Sequence, residues 1–132
     1  MLNAVQNGRI KLSEEMSKLP PQVQERLLRY QQLQQTLQTS LAQKQQVELE
    51  LTEIEQALSE MQKTADDTTI YKSIGTLLVK TEKTKVTADL NERKELLNTR
   101  ATVLGKQEER LRIQMKDLQT KLQQDLNPVS PS

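Results

Sequence analysis

The amino-acid sequence predicts a mainly α-helical protein in which two long helices form an antiparallel coiled coil. One β-hairpin joins them and assembles with hairpins of other subunits into a β-barrel. Three observations predict this fold. Residues 22–64 lack proline and glycine and carry apolar residues at heptad spacing. Residues 90–118 repeat leucine every seven positions. Between them, residues 66–81 read DDTTIYKSIGTLLVKT, a β-branched and aliphatic run that is interrupted by Gly75.

The first helix is predicted to begin at Pro21, because proline fits the first turn of a helix. Steps of three and four residues from Val23 follow a seam that is apolar except at Arg26, Ser40 and Lys44. The seam consists of Val23, Arg26, Tyr30, Leu33, Leu37, Ser40, Lys44, Val47, Leu51, Ile54, Leu58, Met61 and Ala65. A sustained seven-residue apolar repeat is typical of a left-handed coiled coil. We expect the weakest packing near Ser40 and Lys44.

The second helix carries one leucine seam and a poorer companion seam four residues further along. The leucine seam is Leu90, Leu97, Leu104, Leu111 and Leu118, and the companion seam is Lys94, Ala101, Glu108, Met115 and Leu122. Gly105 lies inside this helix, where glycine costs about 1 kcal/mol relative to alanine. It marks either a close approach of another backbone or a flexible point.

The two helical segments have similar lengths on either side of the insert, which indicates that they pack against each other in antiparallel orientation. Antiparallel seams keep the sum of paired residue numbers constant, and here that sum is predicted to be 148. The predicted pairs are Leu58 with Leu90, Leu51 with Leu97, Lys44 with Leu104, Leu37 with Leu111, and Tyr30 with Leu118. The same register brings Lys44 within reach of Glu108.

Residues 69–81 are predicted to form a β-hairpin with strands at about 70–74 and 76–81. Thr, Ile, Val and Tyr favour strands, and the glycine at position 75 can adopt the positive φ that reverses a chain. The turn type stays open, because the sequence has neither Asn-Gly nor Asp-Gly at this point.

Both faces of this hairpin carry apolar side chains, and an isolated two-stranded hairpin is only marginally stable in water. We therefore expect it to pair with hairpins of other subunits. The alternative is a tight cap that only closes the coiled coil. The residues predicted to mediate oligomerisation are Ile70, Tyr71, Ile74, Gly75, Leu77, Leu78 and Val79.

The helix ends farthest from the hairpin in sequence, about 19–30 and 115–126, are rich in leucine. Adjacent apolar residues such as Leu27 and Leu28 cannot both be buried in a two-stranded seam. Apolar side chains left exposed at frayed ends are typical of a binding surface. The candidate binding residues are Leu19, Val23, Leu27, Leu28, Met115, Leu118, Leu122 and Leu126. The alternative for each is an ordinary seam residue.

The composition argues against an enzyme. The 132 residues include no Cys and no His, which excludes disulfides, thiolate nucleophiles, the usual zinc ligands and the usual near-neutral general base. The segment Gly75 to Thr81 is similar to a phosphate-binding loop but lacks the second glycine of that motif. We expect no catalytic residue, cofactor or metal. The net charge of +1 does not favour a nucleic-acid partner, and no apolar run suits a membrane. The expectation is a soluble protein in a reducing compartment.

The arrangement of helix, hairpin and helix resembles the beta-type subunits of prefoldin, close to the archaeal form. The most specific part is YKSIGTLLVK within residues 66–81, and YQQLQQ at 30–35 and KQEERL at 106–111 also resemble the family. The resemblance covers roughly residues 20–126.

This resemblance implies a heterohexamer of two alpha-type and four beta-type subunits. In it the hairpins form a double β-barrel platform from which six coiled coils extend. It implies an ATP-independent chaperone of the cytoplasm that binds unfolded polypeptides at the coiled-coil tips and passes them to a group II chaperonin. Carried onto this sequence, the barrel strands are Ile70–Ile74 and Leu77–Val79.

The predicted organisation has three parts: an N-terminal extension at 1–19, expected to be flexible, the coiled coil with its hairpin at 20–127, and a flexible tail at 128–132. The alternative function is a structural or adaptor coiled coil that dimerises and tethers partners.

Overall fold

The computed structural model describes residues 17–127, which contain two helices and two strands. Helix α1 spans Pro21–Lys63, strand β1 spans Ile70–Ile74, strand β2 spans Leu77–Thr81, and helix α2 spans Lys83–Leu126. The predicted order of helix, hairpin and helix is therefore confirmed. The predicted tail at 128–132 and most of the predicted N-terminal extension lie outside the described residues.

Helix α1 begins at Pro21, as predicted. The carbonyl oxygen of Pro20 accepts the first hydrogen bonds, from the backbone N–H groups of Val23 at 3.0 Å and Gln24 at 3.1 Å. The Gln24 side chain donates to the carbonyl oxygens of Leu19 at 2.8 Å and Ser17 at 3.2 Å. These bonds satisfy polar groups that a helix N-terminus and its leading turn otherwise leave unpaired.

The start of α2 stabilises the end of α1. The ammonium group of Lys83 donates to the carbonyl oxygen of Thr64 at 2.7 Å and to Oδ1 of Asp66 at 3.0 Å. A cation at a helix C-terminus interacts favourably with the unpaired carbonyls and with the negative end of the helix dipole. The two helices are thereby held together where the hairpin leaves them.

The chain divides into two compact units. One unit runs from Ser40 to Gln107 and contains the hairpin; the other comprises residues up to Thr39 and from Glu108. The core of the first unit is a cluster of Val47, Ile54, Leu97 and Leu104, against which Leu51, Leu58, Leu90 and Ala101 pack. In the second unit the buried apolar side chains are Val23, Leu37, Leu118 and Leu122. All of these residues belong to the predicted seams.

Ion pairs between the helices support the predicted antiparallel orientation. Arg93 Nη2 lies 3.1 Å from Glu50 Oε2 in the hairpin-containing unit. Arg26 and Asp125 form an ion pair in the other unit. The residue numbers of these two pairs sum to 143 and 151, so the register of 148 stays a prediction. The predicted proximity of Lys44 to Glu108 stays a prediction.

Ser40 in the seam of α1 and Gly105 within α2 differ in their surroundings. Ser40 is buried to 6% exposure, and its hydroxyl has no hydrogen-bond partner. At Gly105, an added Cβ would meet no atom within 4 Å outside the local helix backbone. Close approach of another backbone is therefore the wrong explanation for this glycine.

The hairpin closes through a two-residue turn at Gly75 and Thr76. Strand β1 pairs antiparallel with β2, with Ile74 opposite Leu77. The φ of Gly75 is +58°, and no other described residue, Thr76 included, has a positive φ. Positive φ at the first central position alone defines a type II′ turn, which suits the twist of a hairpin. The structure thus resolves the turn type that the sequence left open.

Candidate functional site

The two faces of the hairpin differ in composition. Partners in an antiparallel pair share a face, and successive residues alternate between faces. The apolar face carries Ile70, Lys72, Ile74, Leu77, Val79 and Thr81, and the mixed face carries Tyr71, Ser73, Leu78 and Lys80. The prediction that both faces of the hairpin carry apolar side chains is therefore confirmed, with Ile70 and Ile74 on one face and Tyr71 and Leu78 on the other.

Most large side chains of the hairpin are exposed. Leu78 is 71% exposed and Leu77 is 68% exposed, and Tyr71, Ile74 and Val79 are exposed as well, while Ile70 is half-buried. Among residues 17–127 the sheet contains only β1 and β2, so each strand keeps one open edge within this region. Burying one such side chain contributes about 1 to 2 kcal/mol, which amounts to several kcal/mol for the set. A further sheet or strand over these residues would therefore be strongly stabilised.

A groove of about 610 Å³ lies where the outer edge of β1 meets the two helices, and we call it the hairpin groove. Its lining is Ala57, Glu60, Met61, Ile70, Tyr71, Lys72, Val86, Asp89, Leu90 and Arg93. All of these residues belong to the hairpin-containing unit. The apolar side chains form most of the surface, and charged groups supply the rest. Residue spacing along the sequence does not reveal this groove, because the groove depends on the angle between the hairpin and the helices.

The predicted binding residues at the helix ends fall into three groups by exposure. Leu28 and Leu126 are each 55% exposed. Leu19, Leu27 and Met115 are half-buried, and Val23, Leu118 and Leu122 are buried. Leu28 and Leu126 are thus the members of the set that offer the most apolar surface to a ligand.

An ion pair ties the two helices together beside these leucines. The side chains of Arg26 and Asp125 are 24% and 22% exposed, and their pairing joins the first turns of α1 to the last turn of α2. The guanidinium group also donates a hydrogen bond to the carboxylate. The pair holds the helix ends together while Leu28 and Leu126 remain accessible.

Exposed apolar side chains also occur along the helices, away from the hairpin and the helix ends. Leu49 is 55% exposed and Leu96 is 61% exposed, and Val103 and Ile113 are exposed too. All four lie outside the predicted seams, which is the sequence signal that identifies them. They are scattered, and scattered surface leucines are normal in soluble proteins.

The described residues hold no cluster of metal-binding side chains. Between residues 17 and 127 no three acidic, Cys or His side chains come together in a way that could hold a metal ion. Neither helix of this region is long and apolar enough to cross a membrane. The exposed apolar side chains of the hairpin and of the helix ends are suited to contact with other polypeptides.

Comparison with known proteins connects these surfaces to a family. The family model described as "Prefoldin subunit" matches residues 24–128. The prefoldin subunit beta of Archaeoglobus fulgidus is 47% identical over 113 residues, which cover 86% of this chain and 97% of the relative. That of Thermococcus onnurineus is 44% identical over 115 residues, covering 87% of this chain and 99% of the relative.

A solved structure agrees with the sequence comparison. The crystal structure of the prefoldin beta subunit from Thermococcus strain KS-1 superposes with a TM-score of 0.76 at 42% identity. The superposition covers 87% of this chain and 98% of that structure. The paired helices and the hairpin are therefore shared in fold as well as in sequence.

The fold together with these comparisons places the chain in the class of chaperone subunits. The chain belongs to the prefoldin subunit family, and the relatives named above are beta subunits. Membership in this family means assembly into a hetero-oligomer with other prefoldin subunits. It also favours a chaperone component over the alternative of an adaptor coiled coil.

Proposed function

We propose that this chain is the beta-type subunit of an ATP-independent holdase that binds unfolded polypeptides at the helix ends and delivers them to a group II chaperonin in the cytoplasm. The proposed assembly contains two alpha-type and four beta-type subunits. Their hairpins form a double β-barrel, and the coiled coils extend from it.

The observation that carries this proposal is the exposure of the hairpin. Five of its large apolar side chains, namely Tyr71, Ile74, Leu77, Leu78 and Val79, lie exposed on a two-stranded sheet with both edges open. A cap that merely closed the coiled coil would cover these groups on its own helices. A barrel completed by other hairpins buries them and pairs the free edges.

Client binding in this proposal depends on weak contacts repeated on one platform. Burial of Leu28 and Leu126 contributes about 1 to 2 kcal/mol each before ordering costs are subtracted. One helix end alone therefore binds weakly. Several ends tethered to one platform act together through effective concentration. Weak individual contacts also permit release to a chaperonin without nucleotide hydrolysis.

The test compares two double variants in the assembled hetero-oligomer. Leu28→Ser with Leu126→Ser removes the exposed leucines at the helix ends. Leu49→Ser with Leu96→Ser removes two leucines of similar exposure from the hairpin-containing unit. Leu118 and Leu122 are left intact, because they are buried and serine there would weaken the seam.

The measurement is suppression of aggregation of a chemically unfolded client, followed by light scattering, with native mass as a check on assembly. We expect the variant at the helix ends to lose most suppression while keeping its mass, and the matched control to retain both. Equal loss in the two variants, or full suppression in the first, would remove the helix ends as the client-binding surface.

A further inference from the structure

We propose that residues 1–16, which precede the described part of the chain, dock along the face of α1 that carries Gln24 and Leu28 and cover Leu28. The segment then competes with unfolded polypeptides for this leucine. The inference rests on the proposed client binding at the helix ends, and it adds an intramolecular control of that surface.

The described part of the chain begins beside Gln24. The side-chain amide nitrogen of Gln24 donates to the carbonyl oxygen of Ser17 at 3.2 Å and to that of Leu19 at 2.8 Å. Because one nitrogen atom reaches both carbonyls, residues 17–19 pass next to this side chain. Residues 1–16 therefore join the described chain at the face of α1 on which Gln24 lies.

Leu28 lies on the same face of α1 as Gln24. Residues four apart are neighbours on a helix surface, separated by about 40° around the helix and about 6 Å along it. Leu28 is 55% exposed. Arg29, its neighbour in sequence, lies about 140° around the helix from Gln24. The point where residues 1–16 join the chain is therefore close to Leu28, on the side of the helix that faces away from Arg29.

The sequence of residues 1–16 offers an apolar stripe for this contact. The steps of three and four residues that define the seam of α1 continue backward from Leu19 through positions 16, 12, 9, 5 and 2. Residues at this spacing share one face of a helix. Only Arg9 interrupts the stripe, which otherwise consists of Met16, Leu12, Val5 and Leu2. The stripe lies outside residues 24–128, which match the family model, so it is a feature of this chain beyond the matched region.

The surface of α1 beyond Leu28 can be covered at low cost. The sequence has no charged residue between Arg29 and Lys44. The exposed side chains that follow Leu28 on this side are amides, namely Gln31, Gln32 and Gln35. Removing an amide from water costs far less than removing an ionised group. Sixteen residues in a helix span about 24 Å, which is long enough to extend along α1 past Leu28 onto this uncharged stretch.

A covalently attached segment needs only a weak contact to compete with a client. Its effective concentration at Leu28 is of the order of millimolar, because a short stretch of chain joins the two. The apparent affinity of a client for Leu28 falls in proportion to the fraction of molecules in which Leu28 is uncovered. Leu126 belongs to α2 and is not part of this face, so the control acts on one of the two exposed leucines.

Disulfide crosslinking within one chain tests the docking without a client, because the chain has no cysteine of its own. The test variant combines Leu12→Cys with Leu28→Cys. Leu12 precedes Ser17 by five residues and Leu28 follows Gln24 by four, so both lie at similar distances from the contact between Ser17 and Gln24. The matched control combines Leu12→Cys with Arg29→Cys, which is also exposed. Each chain is assembled with an alpha-type prefoldin subunit, and the intrachain bond is read from the mobility of the denatured, non-reduced chain.

We expect the intrachain bond to form at least about tenfold more with Leu28→Cys than with Arg29→Cys. Adding Leu2→Ser with Val5→Ser to the test variant should lower the yield at least about threefold, because half of the apolar stripe is lost. Adding Ala4→Ser with Asn7→Ser, two positions outside the stripe, should leave the yield unchanged. Equal crosslinking to Leu28→Cys and Arg29→Cys, or equal loss in the two serine variants, would overturn the docking.

Removal of residues 1–16 should strengthen client binding. The concentration of hetero-oligomer that gives half-suppression of client aggregation should fall about threefold or more, because Leu28 is then always uncovered. In a chain that carries Leu28→Ser, the same removal should have no effect, since it uncovers no leucine. Weaker suppression after the removal would overturn the competition, because the segment would then contact clients itself.

The two measurements separate this inference from the proposed function. Absence of the specific crosslink would overturn the docking and leave the helix ends as the client-binding surface. A specific crosslink together with full suppression by the variant that carries Leu28→Ser and Leu126→Ser would support the docking. That second result would also overturn the proposed client-binding surface and the competition for it.

Discussion

Ser40→Ala is expected to stabilise the protein, although it removes a polar group from a helix. Ser40 is 6% exposed in the seam of α1, and its hydroxyl has no partner. By contrast, the Thr36 hydroxyl donates to the carbonyl oxygen of Gln32 at 2.9 Å and is exposed. A buried hydroxyl without a partner costs about 1 kcal/mol or more. Alanine removes that cost and also improves helix propensity by about 0.5 kcal/mol.

The matched control is Ser59→Ala, which makes the same substitution at an exposed position of the same helix. It should gain only the propensity contribution of about 0.5 kcal/mol. The assay is thermal unfolding followed by circular dichroism at fixed protein concentration, since assembly makes the midpoint depend on concentration. At about 3 to 5 °C per kcal/mol for a chain of this size, Ser40→Ala should raise the midpoint by about 5 °C and Ser59→Ala by about 2 °C.

Equal shifts for the two variants would show that the Ser40 hydroxyl carries no penalty. A lower midpoint for Ser40→Ala would show that the hydroxyl has a stabilising partner in the assembled protein. Either result would refute the view that Ser40 is a weak point of the coiled coil.

Three other substitutions test local features by the same thermal assay or by hydrogen exchange. Gly105→Ala should stabilise by about 1 kcal/mol, because a methyl group meets no atom and alanine favours the helix; a lower midpoint would show that the glycine is required. Gly75→Val should destabilise the hairpin by at least about 1 kcal/mol, because φ is +58° there; an unchanged midpoint would contradict the type II′ turn. Asp125→Asn should cost about 1 kcal/mol or less and speed amide exchange in the last turn of α2, because it breaks the half-buried pair with Arg26. Unchanged exchange there would show that the pair does not hold the helix ends together.

The helices and the hairpin could be predicted because their signals are local and periodic. Seven-residue spacing identifies which side chains share one side of a helix, and the buried residues Val47, Ile54, Leu97 and Leu104 all lie on the predicted seams. Strand propensity and one glycine identified the hairpin. Its boundaries were predicted to within one residue, since β2 begins at Leu77 rather than at position 76.

The surfaces were harder to predict, because exposure depends on the distance and rotation between helices. Leu27 and Leu28 look alike in sequence, yet Leu27 is half-buried and Leu28 is exposed. Adjacent residues point about 100° apart around a helix, so a small rotation decides which one enters the seam. The hairpin groove combines residues from three elements, and no spacing along the chain reports the angle at which those elements meet.

Gly105 shows the same limit of prediction from sequence. Sequence indicates that a glycine interrupts a helix but not what lies beside it. The open space around this residue excludes close approach of another backbone as the explanation. The remaining explanation is that glycine makes this stretch of the helix locally less stable.

The central claim is that the open hairpin drives assembly, and native mass in solution tests it most directly. The chain mixed with an alpha-type prefoldin subunit should form a complex with the mass of two alpha-type and four beta-type subunits. Ile74→Asp with Leu78→Asp, which places one charge on each face of the hairpin, should leave this chain as a folded, helical monomer. An unaltered complex mass for that variant would contradict the claim.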